Sequence, residues 1–276
     1  MSAMDAPFTL IRPDENGPAV LWGGVYESGS LKYLTYELFL EEAPKDVRGF
    51  VEISGSSTAL ALDLLGRKKG LPTVAITDAP GRDHLMRRGF RGEVQTITNL
   101  DEAHRLCLQY EQEGWLWPRQ FTNVALVRYV ELWGLQLLRK VRKNWPEIRY
   151  LVCGFGTGAT VAGLYRVFAP FGYSVMGLQA RPGDPVPGWR NYALQNLGDQ
   201  DLFHSYQEKI PLPIPSETEG SGAGALDSLL RYANTYANPE QVLVISHDGR
   251  PRDRGLSERV TSTTASASPA YDELRR

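Results

Sequence analysis

The sequence predicts an α/β protein in which a parallel sheet carries helices on both faces. Short apolar segments that resemble strands alternate with longer amphipathic segments along most of the chain, which is the pattern of strand–helix–strand units. The 276 residues, 42% of them hydrophobic, are enough for a large core and fit one large unit or two lobes.

The first block of predicted elements ends near residue 113. Its strands are short apolar runs bounded by turn residues, and its last helix has Leu106 with Tyr110 and Ala103 with Cys107 at helical spacing. In chain order the predictions are a helix at 34–42, a strand at 49–53, a helix at 58–69, a strand at 72–77, a short helix at 82–88, a strand at 93–97 and a helix at 100–113.

A second block follows segment 113–120, which has no clear period and is the predicted crossing between lobes. Its predicted elements are a helix at 123–143, a strand at 150–153, a helix at 160–168, a strand at 173–178, a helix at 224–236 and a strand at 242–245. Residues 261–269 are almost all Thr, Ser and Ala, which predicts a flexible C-terminal tail over 261–276.

The composition of the chain limits the functional classes to which the protein can belong. A net charge of −2 and a pI near 6.1 give no general preference for nucleic acid or acidic membranes. The two cysteines, Cys107 and Cys153, lie in apolar contexts without metal-ligand spacing, which indicates buried thiols in a reducing compartment. No apolar run of about 18 residues and no secretory signal pattern is present. We therefore expect a soluble cytoplasmic protein without a metal site or a membrane partner.

The motif with the clearest chemistry is the glycine-rich turn within residues 152–163, between a predicted strand and a predicted helix. Such a turn presents backbone N–H groups at a helix N-terminus, where a phosphate binds, although the same glycines also fit a tight turn with no ligand. The turn lacks the Lys-Ser/Thr pair of ATP-binding loops, and its position past the midpoint disfavours a nicotinamide site.

Lys32 is the second candidate, because it follows Ser28-Gly29-Ser30-Leu31 at the start of a predicted helix. The helix dipole disfavours a positive charge there, and partial burial lowers the pKa of a lysine further. A lysine of that kind is suited to Schiff-base formation with an aldehyde, while an ordinary surface lysine is the alternative for this motif alone.

Five motifs occur in one order: the turn before Lys32, Ser54-Gly55-Ser56-Ser57 after the next strand, the turn 154–160, Gly220-Ser221-Gly222-Ala223, and Ser246-His247-Asp248-Gly249. Together, over about residues 15 to 255, they resemble the fold type II family of pyridoxal-phosphate enzymes, the group of cysteine synthase and the tryptophan synthase β-chain. The resemblance implies pyridoxal 5'-phosphate as cofactor, a small amino-acid-type substrate and a homodimer. It also implies a two-lobed α/β fold with open, twisted parallel sheets that carry helices on both faces. The smaller lobe is at 33–120, and the larger, phosphate-binding lobe is at 1–32 and 121–260.

The resemblance also assigns roles to residues. Lys32 matches the lysine that forms the Schiff base and moves the proton at Cα. The residues that match the phosphate loop are Gly154, Gly156, Thr157, Gly158 and Thr160. The residues that match the turn for the substrate carboxylate are Ser54, Gly55 and Ser57. Ser56 matches a cofactor-binding position where the family usually has Asn. Asp248 falls where the family commonly has a Ser or Thr beside the pyridine nitrogen.

Three departures from the family leave two types of reaction as alternatives. Tyr33-Leu34 replaces the usual Asp-Arg, Ser56 replaces Asn, and Asp248 replaces a hydroxyl unless the register is shifted by one to His247. A carboxylate at the ring nitrogen strengthens the electron sink and favours decarboxylation through a quinonoid, whereas β-elimination or replacement is the usual family chemistry.

The expectation is therefore a lyase or transferase. It acts on an amino acid or on an amino-acid group attached to something larger, such as a modified nucleotide. The alternative is an inactive relative that serves as a binding or regulatory subunit.

Overall fold

The structure is a computed structural model, and it describes residues 8–23, 26–180, 206–210 and 223–247. Within these ranges it contains two sheets flanked by helices, which confirms the predicted α/β class. Asp248, Gly220 to Gly222 and the predicted tail 261–276 lie outside the described residues.

The larger sheet has six strands in the order β1-β2-β9-β6-β7-β8. Its strands are β1 (Leu10–Ile11), β2 (Ala19–Trp22), β6 (Tyr150–Gly154), β7 (Ser174–Ala180), β8 (Tyr206–Ile210) and β9 (Val242–Ser246). All neighbours are parallel except β1, which runs antiparallel to β2 at one edge. The central strand β9 pairs with β2 and β6, so that Val244 lies between Val20 and Val152.

The smaller sheet has three parallel strands in the order β3-β4-β5. They are β3 (Phe50–Ile53), β4 (Thr73–Thr77) and β5 (Glu93–Thr96). The predicted crossing segment runs along the free side of β3, because Leu116 N–H donates to Gly49 O and Val51 N–H donates to Leu116 O. This segment therefore extends the sheet, which its irregular sequence did not predict.

The helices are α1 (Lys32–Glu42), α2 (Ser57–Lys69), α3 (Ala79–Arg87), α4 (Leu100–Gln112), α5 (Ala125–Asn144), α6 (Ala159–Phe168) and α7 (Ala223–Ala233). Every predicted helix and strand is present, with ends that differ by up to three residues. Helix α1 begins at Lys32, two residues earlier than predicted, and Lys32 N–H donates to Ser30 Oγ over 3.2 Å at this end. Three of the described strands were not predicted, namely β1, β2 and β8. Strand β1 has only two residues, and β8 is mostly polar.

Both sheets are covered on two faces. One face of the larger sheet packs against α5 and α6, and the other packs against α7. In the smaller sheet, Val51 and Ile53 face α4, while Ala75 of the middle strand faces α2 and α3. Alternate residues point to opposite faces of a strand, so burial on both faces makes β4, β6 and β9 largely apolar.

Helix α1 packs against α2 and α5, and its Leu34 belongs to a core cluster that extends from Leu21 in β2 to Phe50 in β3. Helix α1, which begins with Lys32, is therefore held by the core cluster that reaches strands of both sheets. The lobe boundaries near residues 33 and 121 stay a prediction.

The cysteines are free thiols, and both are buried, as their apolar contexts predicted. Burial raises the pKa of the Cys153 thiol to about 12 and raises that of Cys107 as well. Among the described residues, no helix is long and apolar enough to cross a membrane, and no group of His, Cys, Asp and Glu side chains has the arrangement of a metal site.

Replacing Asn99 with Ala should lower the free energy of unfolding by about 1 kcal/mol, because the Asn99 side chain accepts the Glu102 N–H over 2.9 Å and caps α4. Urea unfolding measures the change. Asn99→Asp, which keeps an acceptor oxygen at the cap, is the matched control and should stay close to the parent protein. An equal loss in both variants would contradict the capping role.

Candidate cofactor site

Lys32 is held at the carboxyl edge of the larger sheet. It is half-buried at the first turn of α1, directly after Leu31. Leu31 N–H donates to the carbonyl oxygen of His247 over 2.9 Å, and His247 is the residue that follows β9. The lysine turn is thus attached by its backbone to the end of the central strand.

The glycine-rich turn lies at the same edge. Strand β6 ends at Gly154, and Phe155 N–H donates to Leu178 O over 2.7 Å, which ties the start of the turn to β7. Gly158 has φ of +87° and directly precedes the first residue of α6. The first N–H groups of a helix have no intrahelical partner and favour an anion. Thr160, in the first turn of α6, is only 7% exposed.

Sheet pairing brings the two motifs together. Strands β6 and β9 are parallel neighbours, with Cys153 paired to Ile245, so the turn after Gly154 and the bond from Leu31 to His247 are at the same edge. A lysine amine and the first backbone N–H groups of a helix match the aldehyde and the phosphate of pyridoxal phosphate, so these residues fit the cofactor. Asp248 follows His247 in sequence and lies outside the described residues.

The predicted substrate turn lies where β3 ends and α2 begins. Ser54 Oγ accepts the N–H groups of Ser56 and Ala59, each over 3.3 Å, so this hydroxyl oxygen stabilises the start of α2. A Cβ atom at Gly55 would lie 2.5 Å from Thr77 Oγ1, so only glycine fits. Ser57 is the buried first residue of α2. The helix start favours an anion, while the roles of these residues toward a substrate carboxylate stay a prediction.

Tyr33, one of the departures from the family, takes part in a surface network. Its hydroxyl donates to Glu37 over 2.8 Å and accepts from Lys68 Nζ over 3.1 Å. Lys68 also forms an ion pair of 2.5 Å with Glu27 in the turn before Lys32. The network links α1, α2 and the lysine turn, and it shows what Tyr33 does in place of the usual Asp.

Glu52 is a buried carboxylate that sequence reasoning missed. It lies on β3 with no exposed surface. Its Oε1 accepts Ile53 N–H over 2.9 Å and Trp117 Nε1–H over 3.1 Å, and its Oε2 accepts the backbone N–H of Gln120 over 3.1 Å. Burial raises the pKa of Glu52 to about 7, although these hydrogen bonds and the positive charge of Lys32 oppose the rise. A single carboxylate inside an otherwise apolar strand was the signal that could have found it.

The Glu52 carboxylate is part of a larger buried network. Gln120 Nε2 donates to Ile53 O over 2.6 Å, and Thr58 Oγ1 donates to Gln120 Oε1 over 2.8 Å. Thr58 lies in the first turn of α2, so the network connects Glu52 with the predicted substrate turn. Both Thr58 and Gln120 are buried, which strengthens these hydrogen bonds relative to bonds made in water.

Replacing Gly158 with Ala should weaken binding of pyridoxal phosphate about tenfold, because the positive φ is strained for alanine and the added methyl group lies at the end of the phosphate turn. Fluorescence titration of the cofactor-free protein measures the affinity. Gly172→Ala is the matched control, since Gly172 has a similar φ of +80° and open space around it. Equal affinity losses in both variants would contradict a phosphate site at the turn.

Comparisons with known proteins identify the family and the fold of the chain. The family model described as "Pyridoxal-phosphate dependent enzyme" matches residues 24–237. No curated protein matches the chain. Solved structures with a similar fold include O-ureido-L-serine synthase (TM-score 0.70, 17% identity, 90% of this chain and 91% of that chain). Cysteine synthase from Entamoeba histolytica (0.67, 14%, 93% and 88%) and the O-acetylserine-dependent cystathionine β-synthase from Helicobacter pylori (0.58, 18%, 90% and 94%) are also similar.

The match to the family model covers most of the chain. It includes the turn before Lys32 and the glycine-rich turn, and it extends past the end of α7. The three solved structures have the same fold as this protein over most of the length of both chains compared. The protein therefore belongs to the family of pyridoxal-phosphate-dependent enzymes.

Proposed function

We propose that the protein catalyses elimination or replacement at Cβ of a small amino acid, with an O-substituted serine as the first candidate substrate. The observation that carries the proposal is the bond from Leu31 N–H to His247 O. It attaches the Lys32 turn beside the phosphate turn, at the shared edge of β6 and β9. When bound, pyridoxal phosphate supplies an electron sink for the carbanion at the substrate Cα.

The residues of the site would have two kinds of role, binding and proton transfer. Lys32 would hold the cofactor through its amine and then move the proton of the substrate Cα. The N–H groups of the turn 154–160 would bind the phosphate. The start of α2, with Ser54, Gly55 and Ser57, would orient the substrate carboxylate, and Ser56 would lie beside the cofactor.

The choice of substrate class is supported by the similar structures. Two of them are named for O-ureido-L-serine and for dependence on O-acetylserine, both of which carry a leaving group at Cβ. Asp248 beside the ring nitrogen would favour decarboxylation instead. Decarboxylation is therefore the competing outcome that an assay has to separate.

The first experiment locates the cofactor. The protein is loaded with pyridoxal phosphate, reduced with borohydride, digested and analysed by mass spectrometry. We expect the reduced adduct on Lys32, and Lys69→Ala, which removes an exposed lysine at the end of α2, should leave it unchanged. Absence of cofactor uptake would overturn the proposal and support a binding or regulatory role.

The second experiment identifies the reaction. The loaded protein is incubated with O-acetyl-L-serine, with and without sulfide, while acetate, pyruvate, cysteine and carbon dioxide are measured. Release of acetate with pyruvate or cysteine supports elimination or replacement. The proposed elimination or replacement would be overturned in favour of decarboxylation if amino acids in a panel released carbon dioxide without losing a group from Cβ.

A further inference from the structure

We propose that Arg119 is a positioning residue for the substrate turn at 54–57, because its left-handed backbone places the side-chain amide of Gln120 across the base of that turn. The inference rests on the proposed function, in which this turn orients the substrate carboxylate. It adds to the site a residue from the segment beside β3, whose role is to fix the geometry of the turn.

The Gln120 side chain bonds the residues on either side of the turn. Its Nε2 donates to the carbonyl oxygen of Ile53 over 2.6 Å, and its Oε1 accepts the hydroxyl of Thr58 over 2.8 Å. Ile53 directly precedes Ser54, and Thr58 directly follows Ser57. Gln120, Ile53 and Thr58 are all buried. One amide group therefore connects both ends of the turn, so a shift of this amide would change the spacing between them.

The backbone of Arg119 determines where Gln120 lies. Among the described residues, Arg119 is the one residue other than glycine with a positive φ, at +59°. In an extended chain the side chains of residues 117 and 120 would point to opposite faces. Instead, Trp117 Nε1–H donates to Glu52 Oε1, and the backbone N–H of Gln120 donates to Oε2 of the same carboxylate, each over 3.1 Å. The turn at Arg119 therefore brings Trp117 and Gln120 to one buried group.

Contacts of the Arg119 side chain hold this conformation. The guanidinium lies over the Trp117 ring, 4.4 Å from its centroid. Its Nη2 pairs with Glu111 Oε2 over 2.6 Å, and its Nε donates to Oε1 of the same carboxylate over 3.4 Å, so α4 holds the guanidinium by two bonds. A left-handed backbone is unfavourable for a residue with a Cβ atom. The contacts with Trp117 and Glu111 offset that strain directly before Gln120.

Two variants at this position separate the backbone from the side chain. Arg119→Ala removes both contacts and keeps the strain of a positive φ, so residue 119 should relax and move the Gln120 amide. Arg119→Gly also removes both contacts, but glycine adopts a positive φ without strain, so Gln120 should stay in place. Arg166→Ala is the matched control, because Arg166 forms a similarly exposed ion pair with Glu131 of α5.

The first measurement is amide hydrogen exchange of the full-length protein without added substrate, followed by peptide mass spectrometry. In Arg119→Ala, the peptide with residues 54–59 should exchange about tenfold faster than in the parent, while the peptide of β6 should not change. Arg119→Gly and Arg166→Ala should exchange at close to the parent rate. The inference is overturned by an unchanged rate in a folded Arg119→Ala protein, by an equal increase in Arg119→Gly, or by an equal increase in the β6 peptide.

The second measurement is steady-state kinetics of the loaded protein with O-acetyl-L-serine. Arg119→Ala should raise KM about tenfold and change kcat less than about threefold, because the substrate carboxylate stays bound through the chemical step. Arg119→Gly should keep the parent KM. A loss confined to kcat in Arg119→Ala would overturn the role of Arg119 in positioning the turn that binds substrate.

A further variant keeps the inference testable if Arg119→Ala does not fold. Arg119→Lys keeps the charge but loses the planar fork that matches the Glu111 carboxylate. Exchange of residues 54–59 should then rise about threefold, and an unchanged rate overturns the inference. The exchange measurements need no substrate. A protein that shows these exchange rates but has no activity with amino acids that carry a leaving group at Cβ therefore refutes the proposed function alone.

Discussion

Lys32→Ala should reduce kcat/KM with the amino-acid substrate by at least about 10³-fold, because in the proposed function Lys32 is both the amine that binds the cofactor and the base that moves the Cα proton. Lys32 is half-buried at the start of α1, and its side chain is not part of the apolar core. We therefore expect the variant to fold, with its thermal unfolding midpoint close to that of the parent. Steady-state kinetics with the substrate found in the product assay measure the effect.

The control for this prediction is Lys69→Ala, an exposed lysine whose loss should leave kcat/KM unchanged. Addition of a small primary amine should restore part of the activity of Lys32→Ala, since such an amine replaces the missing base. Full activity in Lys32→Ala, or an equal loss in both variants, would show that another residue performs the chemistry.

Glu52 should make the stability of the protein fall as pH rises from about 4.5 to about 7. The carboxyl has a pKa of about 7 in the folded protein and an ordinary value of 4.5, so the folded state binds more protons between these limits. The contribution is fully present below the lower limit and is lost by the upper one, and it amounts to roughly 3 kcal/mol at 1.36 kcal/mol per pKa unit.

Urea unfolding of the parent and of Glu52→Gln at about pH 4.5 and about pH 8 measures this effect. Glutamine does not titrate, so the stability of the variant relative to the parent should improve by roughly 3 kcal/mol between the two pH values. Glu113→Gln, which removes an exposed carboxylate, should show no comparable change. A pH-independent difference between the parent and Glu52→Gln would show that the carboxyl keeps its ordinary pKa when folded.

Much of the fold was predictable because strands covered on both faces read as continuous apolar runs and helices read as periodic ones. Strands β3, β4, β6 and β9 and the helices between them were predicted for this reason. Strand β8 was missed because its Tyr-Gln-Glu-Lys-Ile sequence carries charged residues in its middle. The segment at 113–120 was predicted as an irregular crossing, yet backbone hydrogen bonds add it to β3, and such bonds leave no periodic signal in side chains.

The candidate site, like the fold, was predicted only in part from the sequence. Lys32 and the turn 154–160 have local signatures, a serine-glycine turn before a helix and glycines between a strand and a helix. Ser54 was predicted to contact substrate, and the structure shows its hydroxyl oxygen at the cap of α2, a geometry that depends on where the helix begins. Glu52 was missed because its importance depends on Trp117 and Gln120, more than sixty residues away.

The sequence by itself determined the alternation of strands and helices, the candidate lysine, the glycine-rich turn and the motifs that resemble a cofactor-dependent family, because each depends on residues close together in the chain. The tertiary structure decided which edge these motifs share and which groups surround the buried Glu52 carboxylate. Those features arise from the pairing of β6 with β9, from the bond between Leu31 and His247, and from the burial of Glu52. All three join residues distant in sequence, and only packing and hydrogen bonding in the folded chain specify them.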